Sequence, residues 1–150
     1  MTIEKAKAKK LFNESPQWFK EELISEFGED FFKPLEYESI KTFEDACKKF
    51  KVHPDYVFTD RDSTDEIAYK KLKVIIAAIN NGWKPDWSNS NQKKWWPWFN
   101  LSSGFGFSFS AYYGGYSSTT VGSRLCFESQ EKSDYCATQF IDLYKDLLTL

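Results

Sequence analysis

A chain of 150 residues, 41% hydrophobic and 28% charged, is long enough to bury about 70% of its unfolded surface in one globular domain without staples. Its net charge of −2 excludes a global field that would recruit nucleic acid or an anionic membrane, although a local basic patch stays open. The aromatic share, 19%, is the unusual quantity.

The opening MTIEKAKAKK has charge but no apolar run behind it, so it does not read as a secretory signal. The aliphatic run Val74 to Ile79 is too short to span a bilayer. Cys47, Cys126 and Cys136 are odd in number and lack CxxC spacing, which predicts reduced, buried thiols and a cytoplasmic location.

Ile3 to Asn13 reads as a short Lys-rich helix. Ser15-Pro16 predicts the start of a second, with Ser as N-cap, Pro at N1 and Gly28 as the stop. Trp18, Phe19, Leu23 and Phe27 supply its apolar stripe. Thr42 to Asp45 has capping-box spacing, opening a helix that ends near Phe50 because Pro54 forbids continuation. From Ser63 to Asn81, apolar Ala68, Leu72, Ile75, Ile76 and Ile79 recur at helical spacing.

Trp95 to Leu101 reads as a strand that Pro97 confines to an edge or marks with a bulge. Phe105, Phe107 and Phe109 alternate with Gly and Ser, placing the three rings on one core face and the small residues on the other. Gly114-Gly115 is a hairpin signal, and Thr120 to Phe127 the returning strand. A last helix starts near Gln130, capped by Ser129, with Cys136, Phe140, Leu143, Tyr144 and Leu147 on its buried side. The expected fold is a single α+β domain over 1–150. N-terminal helices precede an antiparallel meander of about three strands, packed on one face against the Ser63 and C-terminal helices.

The stretches SIKTFEDACKKF, NNGWKPDWSNSNQKKWWPWF and VGSRLCFESQEKSDYCATQFIDLYKDLL resemble a family of short proteins from gut bacteria, their phages and mobile elements. The resemblance covers roughly two-thirds of the chain, from Ser39 onward. It implies an intracellular accessory protein of phage or mobile-element type and carries no catalytic residue over.

For chemistry the residues offer little. His53 is the sole histidine and lies in a VHPD turn, where capping is the simpler role than general base. One His and three dispersed Cys make no zinc set. Asp60, Asp62, Thr64 and Glu66 are spaced like the start of a calcium loop, but its sixth position is Asp65 and its twelfth Lys71, so the acids read as helix-start charges. The loop Asp86 to Asn91 reads as turn-making. No metal, cofactor or catalytic residue is assigned.

Five tryptophans fall in sixteen residues from Trp83 to Trp98, and Trp96 and Trp98 point opposite to Trp95 and Phe99 along an extended strand. Both faces then carry large rings, and those not under helices need a loop, a partner or exposure. The candidate binding residues are Trp83, Trp87, Lys93, Lys94, Trp96, Trp98 and Arg124. Read together they suit a protein partner, whose hot spots favour Trp. The alternative is single-stranded nucleic acid stacked on the rings, with Lys93, Lys94 and Arg124 on its phosphates. A carboxylate-based enzyme is the third reading.

Overall fold

The computed structural model describes residues 5–102, 104–112 and 123–149. The chain is α+β, with seven α-helices and a two-stranded antiparallel sheet among the described residues. It forms two compact units, Met1–Leu35 and Glu36–Leu150.

The first unit holds α1 (Lys5–Glu14), α2 (Gln17–Phe27) and the single turn α3 (Glu29–Phe32). Pro16, not Ser15, occupies the N-cap of α2, with ψ of 159°. The Ser15 hydroxyl instead turns back to donate to the Leu11 carbonyl at 2.6 Å, closing α1. Gly28 ends α2 at φ of 82°, a conformation that a side chain would oppose. Leu23 is buried and Trp18 is 64% exposed, so the expected stripe of α2 is sealed only in part. Phe12 and Phe32 stack at 4.3 Å.

The second unit follows the sequence pattern more closely. Thr42 and Asp45 form the capping box of α4 (Phe43–Phe50), and Ser63 and Glu66 that of α5 (Thr64–Asn80). Asn81, at φ of 48°, terminates α5 one residue before Gly82. Ala68, Leu72, Ile75, Ile76 and Ile79 are all buried. The C-terminal helix is two helices, α6 (Gln130–Gln139) and α7 (Ile141–Leu148), parted at Phe140, whose φ and ψ are −114° and 32°. The buried side survives the break, with Cys136, Phe140 and Tyr144 in the core beside Leu72, Ile75, Ile79 and Phe127.

The sheet is covered mainly by the C-terminal helices and less by the Ser63 helix than expected. α5 packs against α7 and α4, while α6 covers both strands, β1 (Trp95–Asn100) and β2 (Gly106–Tyr112). Close approach of α6 is permitted by two small residues: the buried Ser110 hydroxyl donates to that of Ser133 at 2.8 Å.

The sheet also departs from the expected meander. Gly114-Gly115 and the start of the returning strand lie outside the described residues, and Ser123–Leu125 form a 3-10 turn. The returning chain then makes one bridge, Phe127 to Trp95, on the side of β1 away from β2. Trp95 exchanges both backbone hydrogen bonds with Phe127 (3.0 and 2.9 Å). Two residues on, Pro97 turns the same way and has no N–H to give, so a ladder there is cut short.

Candidate functional site

Pairing of β1 with β2 decides where each ring goes. Trp96 faces Ala111 and Trp98 faces Phe109, then the register slips so that Phe99 faces Phe107. One step on β1 thus matches two on β2, leaving Ser108 as the extra residue of a bulge. Without it, Phe107 and Phe109 would share a face. With it they part company. Phe107 meets Phe99 on the helix side (6.1 Å, edge-on), where Phe99 also stacks on Phe105 at 5.1 Å and meets Tyr144 at a tilt at 4.6 Å.

Phe109 goes to the outer face. The expectation that it packs in the core with Phe105 and Phe107 is therefore corrected: it is 56% exposed and lies beside Trp98, itself 46% exposed. Their rings are 6.2 Å apart and within 13° of parallel. Phe109 is the residue that strand alternation hides, because Ser108 continues the Gly/Ser alternation and gives no sign of the bulge.

The other outer-face tryptophan, Trp96, is half-buried beneath a loop that brings Trp87 to 6.4 Å from it. That loop is tied by its own polar side chains. The Asp86 N–H donates to Gln92 Oε1 at 2.6 Å, the Ser88 N–H and hydroxyl donate to Asp86 Oδ1, and the Asn91 N–H to Asn89 Oδ1. The Ser88 hydroxyl, then the Ser88 N–H, hold the Asp86 carboxyl below its ordinary value.

Lys94 is fully buried, which removes it from the expected set of exposed cations. Its ammonium donates to the carbonyls of Asn89 (3.2 Å) and Gln92 (3.0 Å) and sits 5.1 Å from the Trp87 ring centre. Lys93 is exposed, but its ammonium rests 4.4 Å over Tyr112. Tyr112 in turn lies 4.7 Å from Trp95, so Lys93 belongs to the Trp95 side of the hairpin rather than the Trp98 side. Trp83 is half-buried at the end of α5, where its N–H donates to the Asn80 carbonyl. Arg124 is exposed in its 3-10 turn. Of the seven candidates the structure joins Trp87, Lys94 and Trp96 to one another, with Trp98 next along the same face.

Elsewhere His53, Asp62 and the three cysteines have structural surroundings. His53 Nδ1 accepts the Asp55 N–H at 3.4 Å, a capping bond. Asp62 pairs with Lys70 at 2.7 Å, and that bond holds its carboxyl below the ordinary value. The three thiols are buried. Burial pushes Cys126 up to about 11, and Cys136 up to about 12 against the opposing hydrogen bond from Tyr144. Among the described residues no group of three or more His, Cys, Asp or Glu is placed to hold a metal ion, and no helix is long and apolar enough to cross a membrane. The chain matches no family model, no curated protein and no solved structure.

Proposed function

We propose that this protein is a non-enzymatic interaction protein that grips a protein partner with the outer face of its β-hairpin. Trp98 and Phe109 are the anchors, and Trp96 under the Trp87 loop forms the closed flank. The observation that carries this reading is the exposed, near-parallel Trp98–Phe109 pair on two strands that hold no charged residue. Large rings with few torsions give contact area at small entropic loss, and an uncharged centre is what protein interfaces favour. The resemblance of the SIKTFEDACKKF and GWKPDWSNSNQKKWWPWF stretches to proteins of gut bacteria and their phages supports an accessory role in the host cytoplasm.

Nucleic acid fits this face less well. Stacked bases need cations along the backbone track, yet Lys94 is enclosed and Lys93 lies over Tyr112.

Photocrosslinking tests the proposal. With p-benzoylphenylalanine in place of Phe109, expressed in a gut-bacterial host, we expect a discrete protease-sensitive adduct. Trp98→Ala should weaken it by about tenfold or more, as loss of a hot-spot ring does. A nuclease-sensitive adduct, or a yield no greater than from the same probe at Tyr56, which is 86% exposed, would overturn it.

A further inference from the structure

We infer that Lys94 is a positioning residue whose enclosed ammonium pins the 84–94 loop over the sheet, and so sets which tryptophans of the cluster are closed and which stay open.

A charged side chain is rarely sealed unless its donors are met. Here two ammonium protons go to the Asn89 and Gln92 carbonyls, and the Trp87 ring faces the charge. Both carbonyls belong to the loop, so one cation draws two points of it inward at once. The Gln92 side chain closes the loop on Asp86 at the same place. Asn89 and Asn91 add only local turn bonds, which shape a loop without attaching it to anything. Lys94 immediately precedes β1 and has the strand parity of Trp96, so its side chain ties the loop to the face on which Trp96 lies. Trp87 then rests on Trp96, while Trp98 and Phe109 lie beyond the loop's reach and stay exposed. In water an ammonium–ring contact alone is modest. Enclosure and two charge-assisted hydrogen bonds make the arrangement specific.

This division of the cluster rests on the outer face being the contact surface, but its test does not. In the wild-type protein labelled with nitrogen-15 at lysine, the Lys94 ammonium should give a protected signal at neutral pH, with hydrogen exchange slowed about tenfold or more against exposed lysines. In Lys94→Met, which keeps length and removes charge, the indole signals of Trp87 and Trp96 should shift. Amide exchange across 86–92 should quicken by about tenfold, while the amides of α5 keep their protection. A Lys94 ammonium exchanging as fast as exposed lysines overturns the inference even if Lys94→Met fails to fold. So does a folded Lys94→Met protein with unchanged Trp87 signals and loop exchange. If these results hold but no adduct forms at Phe109, Lys94 keeps its role and the contact reading falls.

Discussion

Trp98 and Phe99 are chain neighbours with opposite surroundings, and single substitutions should separate them. Phe99 stacks on Phe105 and meets the buried Tyr144 at the edge of the core. We expect Phe99→Ala to cost about 3 kcal/mol in urea unfolding, the usual loss for a core ring. Trp98→Ala gives up a partly exposed cross-strand stack and should cost about 1 kcal/mol or less. Roles of this kind were legible only where burial follows spacing. The five apolar residues of α5 could be read directly, because a helix turns by a fixed angle whatever it packs against. Lys94 could not, since nothing in its neighbours announces that the carbonyls of Asn89 and Gln92 will meet its charge.

At the scale of elements, caps were the most readable feature because they are local. Thr42 accepts the Asp45 N–H while Asp45 accepts that of Thr42, within four residues. Thr42→Ala should lower stability by about 1 kcal/mol, measured as a reduced urea midpoint at unchanged slope. The sheet was less readable because pairing register joins residues distant in sequence. Alternation alone placed Phe105, Phe107 and Phe109 together, and the extra Ser108 sends Phe109 to the other side. Deleting Ser108 should force Phe109 inward or Phe107 outward, with a loss of at least about 2 kcal/mol by the same unfolding assay. A neutral deletion would show that the bulge does not sort these rings. Among the described residues the expected third strand is reduced to the bridge between Phe127 and Trp95, which Pro97 bars from extending.

Taken as a whole, the Glu36–Leu150 unit buries ionisable groups that titrate at high pH. Burial raises Tyr37 and Tyr135 to about 12, as it raises Cys126 to about 11 and Cys136 to about 12. In the unfolded chain a thiol ionises near 9.0 and a tyrosine near 10.0. The unfolded state therefore releases these protons first as pH rises. Their contribution is complete below about pH 9 and is lost from there toward pH 12. Urea unfolding under reducing conditions should show a midpoint that falls steadily between pH 8.5 and 10.5, about where the unfolded thiols and phenols ionise. A flat profile would contradict buried thiols and half-buried phenols.

The α+β class and the aromatic sheet were visible in composition and period. The division of rings into sealed and open sets was not, because it depends on one bulge and one enclosed ammonium. Hydroxyl-radical footprinting of the purified protein, read by mass spectrometry at each aromatic residue, tests that division most directly. We expect Trp98 and Phe109 to oxidise readily while the fully buried Phe127 and the core Tyr144 stay protected. Protection of Phe109 equal to that of Phe127 would contradict an open outer face.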